Sequence, residues 1–384
     1  MSARSSAVRR GALAAAFALT ALLCAAPRGA QAVPLFAQRY NLQCGACHAV
    51  LPELNQFGNE FRNRGYRLAG APKHGTTIVG LREQVGYNRD PGGGSTQRTV
   101  PAGALLGAVE VGQVEAFVHD SLGSQGGPSS LFLAYLAHYD DNSKILYRAG
   151  LIELPLVHSP AQRNDTLTTY GYESALVGLN DLTLATTRWA LEAERNVGRG
   201  RIAADVAFAN SSGSLYGGKP EPTGRTESFA QPEVGIFARY PLTDEVQVGV
   251  DALTGSRQIT LVGRRPFDDP YRRAGVSLEA KRGRLELLAE QWYGRDWNGD
   301  GAGNAIGSFG GYARLRWRIG DHAFVGIRED AAATPTALRT LLWYAEAHVT
   351  RHARVLIQQR RPISGGPTTL EGALTVGVPW PRGQ

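Results

Sequence analysis

The chain has 384 residues, 41 Lys and Arg against 34 Asp and Glu, three cysteines and one methionine. A signal over residues 1–32 takes four arginines with it (Arg4, Arg9, Arg10 and Arg28), leaving 37 basic residues against 34 acidic ones, too small an excess to argue for a nucleic-acid partner. Cys24 leaves with the same segment, so Cys44 and Cys47 are the only cysteines of the processed chain and a disulfide framework is excluded.

The signal itself is read from Arg4, Arg9 and Arg10 ahead of an apolar stretch from Ala12 to Ala26 and a small-residue site at Ala30-Gln31-Ala32, which predicts cleavage before Val33. That stretch is short for a retained anchor, and no later run reaches the roughly eighteen apolar residues of a spanning helix.

Residues 33–75 contain Cys44-Gly45-Ala46-Cys47-His48, a C-x-x-C-H. Cysteines at this spacing share one turn of chain, where each can form a thioether to a haem vinyl, and His48 follows in place to reach the iron. The competing reading is a redox dithiol or half of a zinc site, but no second cysteine pair and no thioredoxin-like context accompany it. One covalent haem c in a small helical cytochrome c segment is therefore expected.

The pattern from Pro52 to Arg64 predicts a helix, with Leu54, Phe57 and Phe61 on one face and Gly65 just beyond its end. Phe57 and Phe61 either wall the porphyrin, with Gly58 allowing close approach, or form ordinary core. The only methionine is Met1, in the signal, so a His/Met iron centre is ruled out. Of the eight histidines only His74 lies close in sequence, and it is the expected second metal ligand beside His48. The alternative is a linker histidine, with the iron bound elsewhere or left open. Without a thioether ligand the potential is expected to lie below that of His/Met cytochromes.

Residues 76–384 change to period two, with one oily and one wet face per run. Leu315, Trp317 and Ile319 oppose Arg314, Arg316 and Arg318, and Val248 and Val250 oppose Gln247 and Asp251. Strands are predicted near 76–88, 102–118, 129–140, 143–154, 184–195, 200–212, 229–241, 244–256, 271–281, 284–295, 308–319, 322–330, 338–350, 353–363 and 368–378. Connections alternate between very short and long, as in an outer-membrane barrel; a soluble sandwich would need an uncommonly large sheet. Single-chain bacterial barrels are even-numbered, so about sixteen antiparallel strands are expected, the missing one falling in 155–183 or 257–270.

Two loop motifs are weaker. Asp296, Asn298 and Asp300 space like a calcium loop, but its twelfth position is Gly307, so an outer loop is expected. The run PGGGS at 91–95 lacks a phosphate-loop lysine and reads as flexible loop.

A segment of about forty residues buries too little apolar surface to enclose a haem alone, so residues 33–75 are expected inside or across the mouth of the barrel. The run FAQRYNLQCGACHAVLPELNQFGNEFRNRGYRL, followed by amphipathic strands, resembles the fused monohaem cytochrome-porins of the bacterial outer membrane, best known from iron-oxidising bacteria. The resemblance implies haem bound through Cys44, Cys47 and His48, packed by Phe57, Gly58 and Phe61, in an outer-membrane barrel that passes electrons from extracellular Fe(II) to periplasmic carriers.

The expected function is thus an electron conduit whose partners are an extracellular reductant and a periplasmic cytochrome. Iron oxidase activity is left open. A peroxidase-like haem enzyme and a solute porin with a structural haem plug are the alternatives. Wet-face acids such as Asp205, Glu245, Glu286 and Glu346 either guide ferrous ions or simply solvate the lumen.

Overall fold

The computed structural model describes residues 35–379 apart from 41, 43, 51–52, 69–76, 90–95, 123–129, 158–165, 168–169, 174, 181, 211–225, 321–322, 335–336 and 351–352. The signal at 1–32, His74 and the glycine run at 91–95 lie outside the described residues. The first elements are short: α1 (Leu35–Tyr40), α2 (Cys44–Cys47), β1 (His48–Val50), β2 (Glu53–Leu54) and α3 (Gln56–Asn63). Sixteen further strands follow. They are β3 (Thr77–Arg89), β4 (Thr96–Val111), β5 (Val114–Leu122), β6 (Ser130–Asp140), β7 (Ile145–Ile152), β8 (Arg188–Val197), β9 (Gly200–Asn210), β10 (Thr226–Pro241), β11 (Val246–Thr260), β12 (Phe267–Arg282), β13 (Leu285–Asp296), β14 (Ile306–Ile319), β15 (Ala323–Ala333), β16 (Ala337–Thr350), β17 (Ala353–Pro362) and β18 (Thr369–Pro379). Each pairs antiparallel with its neighbours, and β18 pairs with β3 to close the barrel.

The expected count of sixteen holds, but the extra strand comes from elsewhere. The run predicted at 102–118 is two strands, β4 and β5, joined by Gly112-Gln113. Gly112 sits at φ +62°, the left-handed geometry of a two-residue hairpin, and the oily alternation continues across it, which hid the turn. Residues 257–270 only lengthen β11 and begin β12, and the described residues of 155–183 form no barrel strand. A second correction concerns the helix predicted from Pro52: α3 begins at Gln56, because Glu53–Leu54 is extended and pairs with β1. Asn55 caps the helix by accepting from Gly58 N at 2.8 Å. Gly65, at φ +65°, ends it as expected, with Gly65 N bonding Arg62 O and Tyr66 N bonding Phe61 O.

The barrel wall is oily outside and charged inside. On β14, Arg314 and Arg316 are 2% and 1% exposed while Leu315 and Trp317 are 41% and 51% exposed. The same order holds on β16, where Glu346 is buried and Trp343 exposed, and on β9, where Asp205 is buried and Ile202 and Phe208 are exposed. A soluble sheet would reverse this order; it suits lipid around the wall and a polar lumen. Inward charges are paired: Arg316 with Glu286, Arg188 with Glu233, Arg239 with Asp251 and Arg328 with Asp330. Glu245, named above as a wet-face acid, instead lies exposed in the turn between β10 and β11.

The lipid-facing assignment is testable at Val276, an outward residue of β12 that is 52% exposed. Val276→Arg is expected to lower urea-unfolding stability in phospholipid vesicles by about 2–4 kcal/mol. A change within about 0.5 kcal/mol, usual for a water-facing surface, would contradict it.

The tight turns, such as Gly112-Gln113, Gly198-Arg199 and Gly283-Arg284, all lie at one end of the barrel, and the chain enters β3 from that end. From the opposite end, the described residues of 153–187 fold into the lumen. Leu154, Leu156, Tyr170, Tyr172, Leu182 and Leu184 are buried there. The segment starts from β7 and reaches β15, eight strands round the ring, where Arg328 donates to Thr166 Oγ1 at 2.6 Å. Leu167 N donates to Gln358 Oε1 at 2.8 Å, and the Tyr170 and Tyr312 rings are 3.9 Å apart.

Candidate functional site

Residues 35–68 lie against the inward face of β3 to β9. Leu35 is buried among Ile78, Ala104, Leu106, Ala108 and Phe117, all inward residues of the wall. The Phe36 ring stacks on Tyr66 at 4.2 Å and approaches Phe117 at 6.4 Å. Ion pairs fasten the segment at both ends of its length. Arg39 Nη1 donates to Glu115 Oε2 at 2.7 Å with both side chains almost fully buried, and Arg67 Nε donates to Glu110 Oε1 at 3.0 Å. Arg67 also reaches the carbonyls of Gly112 and Gln113, and Arg64 pairs with Asp141 at 3.5 Å, so the plug is attached at the short-turn mouth.

Within the plug, α2 carries Cys44 and Cys47 three residues apart, hence on one helix face, and the chain becomes extended at His48. This turn is held from behind by α3. Asn55 N donates to Cys47 O at 2.9 Å and Asn55 Nδ2 to Ala46 O at 3.0 Å. A Cβ on Gly58 would stand 1.9 Å from Cys47 O, so only glycine lets α3 approach so closely. Gly58, expected to allow close approach of the porphyrin, here allows close approach of the Cys47 carbonyl.

Cys47 is a free thiol and half-buried, and burial pushes its pKa above the ordinary value. The two aromatics of α3 divide. Phe61 is 4% exposed and packs edge-on to Phe36, Tyr40 and Tyr66, as ordinary plug core. Phe57 stacks on Phe61 at 6.2 Å and remains 40% exposed, an apolar ring available to a cofactor plane. Asn55 was missed from the sequence, although an Asn immediately ahead of a helical run is a cap signal.

The calcium-like loop is satisfied by its own backbone. Asp300 Oδ1 accepts from Ala302 N and Asn304 N, while Asp296 turns inward to Arg273 at 3.4 Å. Among the described residues no group of three or more His, Cys, Asp or Glu could hold a metal ion.

No protein-family model matches the chain, and no curated protein matches it in sequence. Solved structures match its fold. The outer-membrane channel DcaP of Acinetobacter baumannii superposes with a TM-score of 0.53 at 11% identity, covering 81% of this chain and 100% of that one. The fold is that of the porins. An anion-selective porin from Comamonas acidovorans gives 0.52 at 12% identity over 80% of this chain and 99% of that one. Salmonella typhi OmpF, in complex with daunomycin, gives 0.54 at 9% over 79% and 98%. The porin-type wall is therefore shared, at identities that speak for the fold alone.

Proposed function

We propose that the chain is an outer-membrane barrel, plugged at its short-turn mouth by a segment carrying one covalent haem, that passes electrons between an extracellular donor, expected to be Fe(II), and a periplasmic cytochrome or other carrier. The observation that carries this is the seating of the C-x-x-C-H turn, pinned by Asn55 and Gly58 in a plug that is itself locked to the lumen wall. The apolar outer face and the porin fold support the membrane placement. Short turns face the periplasm in barrels of this kind, which sets the plug on the side of the proposed carrier.

The chain carries the residues that a covalent haem would use. Cys44 and Cys47 would hold it through thioethers and His48 would reach the iron, with His74 the proposed second ligand on sequence grounds. A haem held there supplies one-electron redox chemistry. The protein's part is to hold that turn still: Asn55 and Gly58 fix the Cys47 backbone, and Arg39 and Arg67 tie both flanks to the wall. Phe57 offers an apolar surface and Phe61 fills the plug behind it, keeping water from the packed side.

A second reading, a solute channel with a structural haem, has the porin likeness in its favour, and that likeness speaks for it more directly than for electron transfer. One experiment separates the two. Vesicles carrying the purified protein and enclosing ferric cytochrome c are given Fe(II) outside, and the Cys44→Ser, Cys47→Ser variant sets the background from iron crossing the lumen. Reduction of the enclosed protein well above that background is expected. Equal reduction in both, together with porin-like sugar uptake, would establish the channel reading.

A further inference from the structure

Between α3 and the starts of the wall strands β9, β11 and β13 lies a cavity of about 720 Å³, opening at the short-turn mouth. Small-molecule sites occupy about 300–1,000 Å³. Its deep lining is basic: Arg62 from α3, Arg201 from β9, Arg239 from β10 and Arg314 from β14. The rim carries both signs: Arg199 pairs with Asp244 and Lys281 with Glu279, each at 2.5 Å, and Glu60 and Glu245 add acid at the entrance.

The wall arginines have acids of their own. Arg239 grips Asp251 with two donors, and Arg201 reaches Glu194 at 3.4 Å and Asn63 Oδ1 at 3.3 Å. Arg148 is shared by Glu192 and Glu194. Arg62, only 8% exposed, makes no ion pair among the described residues, and its Nε has no hydrogen-bond partner. Arg62, Arg148 and Arg239 all lie near enough to Arg201 to repel its charge. Glu192, Glu194, Asp251 and Glu290 balance the four guanidiniums in number, but only Arg62 among them makes no ion pair of its own among the described residues. A buried charge without a direct partner is expensive unless a counter-charge reaches it.

We infer that this cavity binds a small anion bearing carboxylate or phosphate groups, with Arg62 supplying the charge-assisted hydrogen bonds. The guanidinium fork suits both groups. Arg62 belongs to the plug and Arg201 and Arg239 to the wall, so the bound anion also ties one to the other. The inference needs the barrel and plug and is independent of the haem.

Calorimetric titration of the detergent-solubilised full chain with inorganic phosphate and with citrate tests it and separates the two chemistries. Saturable binding of at least one is expected, weakening as sodium chloride is raised. Arg62→Gln is expected to reduce that affinity roughly ten- to a hundredfold, while Arg264→Gln, exposed in the turn between β11 and β12 and outside the cavity, leaves it unchanged. Should Arg62→Gln fail to fold, Arg62→Lys, which keeps the charge and loses the fork, is expected to bind more weakly than wild type. Absence of saturable binding by either anion at millimolar concentration overturns the inference, as does undiminished affinity in the Arg62 variant. Haem absorbance read on the same samples reports the separate fate of the proposed function.

Discussion

Serine at both Cys44 and Cys47 is expected to abolish covalently bound haem, leaving a folded barrel that carries no haem stain on a denaturing gel. The two thiols are the only cysteines after Cys24, which falls in the expected signal, so no other thioether is expected in their place. They lie on one face of α2, and neither contributes to the sixteen-strand wall, which keeps its pairing and its inward ion pairs. Cys47→Ser alone leaves the Cys44 thioether and is expected to retain part of the stain. Two results would sink the assignment: wild-type protein purified from a haem-attaching host without a haem band, or a double variant that keeps the full band.

Glu115→Ala is expected to release the plug without unfolding the barrel. Glu115 and Arg39 are 0% and 3% exposed at the side chain, and the wall presents Glu115 directly to α1. Removing one partner of a buried pair costs about 3–5 kcal/mol, because the remaining charge is stranded. Arg39 keeps its position over the Phe36 ring at 5.5 Å, which offsets only a small part of that. Spread over the plug alone, the loss raises its opening equilibrium roughly a hundredfold to several thousandfold. Native-state trypsin cleavage at the arginines of residues 35–68 reads this directly, with the heat-dependent gel shift of the barrel as internal control. Restoring neutrality with Arg39→Met in the same chain is expected to recover much of the protection. Cleavage at the wild-type rate in Glu115→Ala would mean that the plug is held by its aromatic contacts instead.

Much of this architecture was legible along the chain. Alternation such as Leu315 and Trp317 against Arg314 and Arg316 requires one oily and one wet face whatever the fold, and the rhythm of short and long connections pointed to a barrel. Gly65 as a helix stop was equally local, since a left-handed cap needs only the residue at that position. The hairpin at Gly112-Gln113 was missed because alternation runs unbroken through it, and the helix start was misplaced because Pro52 is as compatible with extended chain as with a first turn.

By itself the sequence determined the period of the strands and the C-x-x-C-H spacing, because each is encoded in residues a few positions apart, while the even strand number came from a general rule of barrels. Only the tertiary structure decided that the charged faces point inward, that the described residues of 153–187 cross the lumen to β15, that Gly58 meets the Cys47 carbonyl, and that Arg39 and Arg67 lock onto Glu115 and Glu110. Apart from Gly58 and Cys47, those contacts join residues from 43 to 162 positions apart. Closure of the barrel brings them together, and no local pattern carries that distance.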